Sequence, residues 1–206
     1  MRRRLLALAL FMSVCPAAIL AQEIEGDGKP SPAWDRPPLP DMALGPADAR
    51  VTVIEYGSAS CPNCAEFHIS HFGALKAAYI NKGKIRFVFR EYPHNDAAVG
   101  AFMLARCAPP ERYFDYLDRL FATQNSWTNA PREGLAAIAS ELGMAQPDFE
   151  RCMADEKLAK AIVEGRNLAR SHGVESVPTF YIDGELHTGD KTYEALSAEI
   201  DRRLGK

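Results

Sequence analysis

The chain has no second pair of closely spaced cysteines, no basic stripe and no internal repeat. The missing second pair argues against a four-cysteine zinc site. Positive residues are interspersed with acids rather than gathered on one stretch, which argues against a nucleic-acid surface. His68 and His71 stand three apart with no convincing ligand set around them, so a packing or surface role is expected of both and no metal is expected. The N-terminal apolar stretch, Leu5 to Leu20, is short for a helix that spans a bilayer.

What is present is enough for one folded domain. With 206 residues, 47% of them hydrophobic, the chain can bury a sizeable core without depending on disulfides. Met1-Arg2-Arg3-Arg4, the apolar stretch and small residues near Ala21 read as a secretory signal over 1–21, cleaved after Ala21. Val14 precedes Cys15 where a lipoprotein signal would have a small residue, so lipidation is disfavoured. Removing three arginines and no acids takes the formal charge from −3 to −6. Loss of Cys15 leaves four cysteines, an even number that suits an oxidising compartment. Residues 22–49 carry Pro30, Pro32, Pro37, Pro38, Pro40 and Pro46 and read as an extended arm, with regular structure expected from Val51.

Cys61-Pro62-Asn63-Cys64 lies where the strand-like run Val51 to Tyr56 gives way to a helix-like stretch, Ala65 to Ile80. At such a junction the first cysteine meets the unpaired N–H groups and positive end of the helix, which favour a thiolate. Pro62 suits the first helical turn, where its missing N–H costs nothing. A redox pair is the favoured reading, and half of a zinc site the weaker one. A second strand is predicted at Ile85 to Phe89, and a hairpin at Phe180 to Ile182 and Leu186 to Thr188 around Asp183-Gly184. Helices are predicted at 95–107, 111–123, 132–142, 147–153, 157–172 and 192–204, with Gly143 and Gly173 at two of their ends.

The strand, the Cys61 to Cys64 motif, the second strand, the helical block and Val177-Pro178-Thr179 before the hairpin resemble the DsbA-like branch of the thioredoxin superfamily. Arg90-Glu91-Tyr92-Pro93 and Leu104-Ala105-Arg106-Cys107 add to the resemblance, which points to exported, alphaproteobacterial-type members. It implies an α/β thioredoxin fold over 50–204 with a helical insertion at about 95–172. The implied activity is thiol:disulfide exchange, most readily as an oxidase that introduces disulfides into reduced or misfolded exported proteins in the periplasm. No cofactor is called for. A DsbB-like membrane quinone reductase is the implied reoxidation partner, and a monomer is expected. A reductase or isomerase is the enzymatic alternative, and a peptide-binding chaperone the non-enzymatic one.

Within this frame Cys61 is the expected nucleophile and Cys64 the resolving thiol. Asn63 departs from the best-known oxidase pattern, which has histidine there. A neutral amide adds no cationic charge, so helix N–H groups must do more of the thiolate stabilisation. Glu55, on what should be a central strand, matches the family's buried acid and could exchange a proton with Cys64 directly or through water. The alternative is an exposed acid or a pair with Arg86. Pro178 is the expected cis-proline, turning the Val177 backbone toward an extended peptide. Cys107 and Cys152 are read as a structural disulfide, with two buried free thiols as the alternative.

Overall fold

The computed structural model describes residues 37–205, so the signal at 1–21, its cleavage point and the arm as far as residue 36 lie outside the described residues. Five strands form one sheet in the order β1-β3-β2-β4-β5. β2 (Val51–Gly57) and β3 (Ile85–Glu91) are parallel, with Val53 beside Phe87 and Glu55 beside Phe89. Both are buried along nearly their whole length. Their sequences accordingly carry apolar residues at successive positions, Val53-Ile54 and Phe87-Val88-Phe89, rather than alternating strictly.

A parallel pair needs a crossover, and the helix α1 over 62–80 provides it. It is α-helical at Pro62–Phe67 and Gly73–Leu75 and widens into π-helical turns at His68–Phe72 and Lys76–Ile80. β4 (Thr179–Ile182) joins the other side of β2 antiparallel, with Phe180 opposite Glu55. Asp183 and Gly184 both have positive φ, 49° and 80°, the geometry of a two-residue hairpin turn into β5 (Glu185–Leu186). The expected second arm, Leu186 to Thr188, is therefore displaced and shorter. It ends in a single further bond from His187 N–H to the Phe180 carbonyl.

Between β3 and β4 lie α2 (Asp96–Cys107), α3 (Tyr113–Ala122), α4 (Gln124–Trp127), α5 (Pro131–Glu141), α6 (Gln146–Met153) and α7 (Glu156–Ser171). α8 (Tyr193–Leu204) closes the chain. These bounds follow the apolar periodicity closely; the stretch at 111–123 differs in beginning with a 3₁₀ turn and being followed at once by the short α4. Gly134 is where α5 crosses α4, since a Cβ there would sit 2.5 Å from Trp127 Cα. Phe67, Phe87, Phe89, Phe121 and Phe180 fill the space between the sheet, α1 and α3.

The start of regular structure differs from the expectation. Met42–Leu44 forms β1, an edge strand antiparallel to β3 with Met42 opposite Phe89. Three residues between Pro40 and Pro46 are too short to show a strand period, and prolines are tolerated beside an edge strand. Asp41 fixes this edge by a two-pronged pair with Arg90, at 2.9 and 3.1 Å. Nearby, Arg106 holds Glu91 in the same way at 2.6 and 2.8 Å, and Tyr113 donates to Glu91 at 2.9 Å. These contacts tie the insertion to the end of β3.

Candidate active site

Cys61 caps α1 with extended backbone, φ −87° and ψ 121°, and Pro62 follows in the first turn. Its N–H bonds back to the Ser58 carbonyl, and its own carbonyl accepts the first helical bond from Ala65. The loop thereby presents Cys61 at the positive end of the helix. Both sulfurs are free thiols. Cys64 is fully enclosed, while Cys61 is only 6% exposed and so more sheltered than a solvent-facing nucleophile. Cys61 Sγ lies 3.5 Å from the Val177 carbonyl oxygen, and Cys64 Sγ accepts the Ser58 N–H at 3.4 Å. The Val177–Pro178 bond is cis.

The two thiols are driven in opposite directions. A hydrogen bond from the Cys64 thiol lowers the Cys61 pKa to about 6 against the resistance of burial, assisted by the backbone N–H groups of Cys64 and Asn63 and by nearby His94. Burial pushes Cys64 far above its usual value of 9.0, and the Cys61 hydrogen bond and the Glu55 charge push it the same way. At neutral pH Cys61 is mainly thiolate and Cys64 is thiol. Asn63 itself is exposed and acts on the sulfur through its backbone.

Glu55 is fully buried on β2. Its partner is not Arg86: Oε2 lies 2.9 Å from His68 Nε2. His68 has the packing role expected of it, stacked on Phe121 at 4.2 Å and 20°, but it also holds the acid, which the sequence reading missed. The spacing Cys64 to His68 placed them on one helix face. What the sequence lacked was any sign that this face turns toward Glu55. Gln124 was missed outright. It reaches in from α4 and donates to the Ala59 carbonyl at 2.7 Å and the Cys61 carbonyl at 3.0 Å.

The remaining candidates lie apart from this cluster. Cys107 and Cys152 form a disulfide between the end of α2 and α6. Trp127 is a core residue whose Nε1 donates to the Leu120 carbonyl. Among the described residues no group of three or more His, Cys, Asp or Glu side chains is placed to hold a metal.

A family model described as Thioredoxin matches residues 39–202. The crystal structure of Wolbachia pipientis alpha-DsbA1 superposes with a TM-score of 0.75 at 31% identity, covering 82% of this chain and 94% of that one. This chain belongs to the thioredoxin family, in its DsbA-like branch. BdbD of Bacillus subtilis shares the fold with this thioredoxin-family chain at a TM-score of 0.70 and 21% identity, over 81% of this chain and 94% of that one. A Rickettsia bellii protein described as "Putative protein-disulfide oxidoreductase" is 30% identical over 168 residues, 80% of this chain. The DsbA-like chain spans 64% of that relative's length.

Proposed function

We propose that the protein is an exported thiol:disulfide oxidoreductase that works as an oxidase, passing the disulfide between Cys61 and Cys64 to reduced client proteins in the periplasm. The observation that carries this reading is the opposed state of the two sulfurs. A Cys61 thiolate favoured down to about pH 6 stabilises the dithiol form, and whatever stabilises the dithiol makes the disulfide a stronger oxidant. In the forward step a client thiolate attacks Cys61 Sγ, the bond to Cys64 breaks, and Cys64 leaves with the electron pair and takes a proton from Glu55. A second client thiolate then attacks the client sulfur of the mixed disulfide and expels the Cys61 thiolate, leaving client disulfide and enzyme dithiol.

Val177, with its carbonyl beside Cys61, would hold the client as an extended strand through main-chain bonds, a mode that tolerates many sequences. Export is supported by the leader-like start of the sequence, and an oxidising destination by the Cys107–Cys152 bond. Reoxidation falls to a DsbB-like membrane quinone reductase, and the protein acts as a monomer. The reductase or isomerase reading draws on one observation, the neutral Asn63 where a cation would add oxidising power.

The test is oxidative refolding of a reduced, denatured disulfide protein with catalytic amounts of this one and oxidised glutathione. Native disulfides should form faster than in buffer and Cys61→Ser should abolish the gain. Rapid reduction of insulin with no oxidative activity would favour the reductase. Suppression of client aggregation retained in Cys61→Ser without any turnover would favour the chaperone.

A further inference from the structure

Glu55 and His68 form a buried pair of unusual completeness on one side and incompleteness on the other. Their side chains are 0% and 2% exposed, and Oε2 and Nε2 are 2.9 Å apart. Glu55 Oε1 and His68 Nδ1 are also buried, yet neither has a hydrogen-bond partner among the described residues. Oε1 lies toward Gly57, where an added Cβ would come within 3.0 Å of it. The next residue, Ser58, donates its N–H to Cys64 Sγ. The two carboxyl oxygens are therefore divided: one is occupied by the imidazole, and the other is unpartnered beside Gly57, the neighbour in sequence of the residue that bonds the resolving cysteine.

We propose that His68 is a positioning residue for thiol–disulfide exchange, holding Glu55 through Oε2 so that Oε1 can take the proton from Cys64 when Cys64 must attack. This rests on Cys61 and Cys64 being the exchanging pair. The fitting tautomer carries its hydrogen on Nε2 and leaves a bare lone pair on Nδ1, which avoids burying a second N–H with no acceptor. During reoxidation a mixed disulfide forms on Cys61. The Cys64 S–H proton passes to Glu55 Oε1, the sulfur's electron pair forms the bond to Cys61 Sγ, and the partner thiolate leaves. The Nε2–H bond favours the ionised carboxylate, which is the form able to take that proton, because a hydrogen bond to an ionised acceptor is about twice as strong as a neutral one. In the opposite half-reaction Oε1 returns its proton to the departing Cys64 thiolate, which restores the carboxylate that His68 holds.

The ring itself is fixed by stacking on Phe121 and edge contacts with Phe67 and Phe89. In register Glu55 is flanked by Phe89 and Phe180, which do not titrate. The titratable groups within electrostatic reach of the pair are Cys64 on α1 and Tyr113 and Asp118 on α3. Tyr113 is already committed to Glu91, and burial keeps its hydroxyl protonated. That leaves Glu55 as the group best placed to act on Cys64.

The test uses oxidised glutathione as the partner. The reduced protein is mixed with it, and the lifetime of the Cys61–glutathione adduct is followed by acid quench and mass spectrometry from pH 5 to 9. His68→Phe should lengthen the adduct about ten- to hundredfold at pH 7 and move its pH profile upward. His68→Gln, which keeps an N–H donor, should restore most of the rate. In a Glu55→Gln background His68→Phe should add nothing. If His68→Phe does not fold, His68→Met makes the same comparison. Wild-type adduct lifetimes in the apolar variant, or an equal slowing with and without Glu55, would overturn the proposal. Failure of the wild-type protein to form any adduct would instead remove the redox reading on which it stands.

Discussion

The Val177 carbonyl oxygen rests 3.5 Å from Cys61 Sγ, although the whole helical insertion separates the two residues in the chain. The contact places the Val177 backbone and Cys61 side by side, so under the proposed function a client strand held by one would be presented to the other. It also shelters the sulfur from solvent without enclosing it. Cys64, one turn into α1, has no such opening.

The first prediction concerns the two thiols. Thiolate absorbance of the reduced protein should rise with a midpoint near pH 6, from Cys61 alone. Cys64→Ala removes the largest cause of that lowering, so the midpoint should climb toward the usual 9.0. An unchanged midpoint in Cys64→Ala would place the stabilisation in the helix N–H groups instead.

Stability of the dithiol form should depend on pH through the same sulfur. Its folded value of about 6 lies below the ordinary 9.0, so the contribution is fully present above about pH 9 and is lost as pH falls through about 6. The full effect is about 4 kcal/mol from a shift of this size. Denaturant unfolding of the reduced protein and of Cys61→Ala should therefore diverge as pH rises from 6 to 9. Parallel curves across that window would contradict it.

Gln124 should matter to stability although it touches neither sulfur. Gln124→Leu leaves the Ala59 carbonyl buried without its donor and should cost about 1–3 kcal/mol. Gln124→Glu should cost more at neutral pH, because it turns an acceptor and a charge toward the two carbonyls. Urea midpoints at equal slope measure both.

Opening the Cys107–Cys152 bond frees a loop of 45 residues in the unfolded chain. The paired change Cys107→Ala with Cys152→Ala should lower unfolding stability by about 4 kcal/mol on the chain-entropy estimate. Calorimetry of the oxidised proteins would show the loss directly.

How much of this was legible follows from the range of each signal. Cys61, Pro62 and Cys64 lie within one helical turn, so their junction could be read locally. The helices of the insertion announced themselves by apolar period and by their stops. Glu55 could be singled out because an acid in the apolar run Val51 to Tyr56 is costly to bury. Its partner could not, since β2 and α1 meet only in three dimensions, and the pairing the sequence suggested was with Arg86. Gln124 had no signal at all: an amide in an apolar helical block looks the same whether it faces solvent or two carbonyls. β1 escaped because three residues cannot display a period.

The central claim is that the fold makes the Cys61–Cys64 disulfide an oxidant. Its equilibrium potential in a glutathione buffer, with Cys61, Cys64, Cys107 and Cys152 tracked by mass spectrometry of trapped thiols, measures that directly. The account predicts a value well above the glutathione pool, between about −180 and −120 mV. A value near the thioredoxin range, about −270 mV, would contradict it and make the protein a reductant.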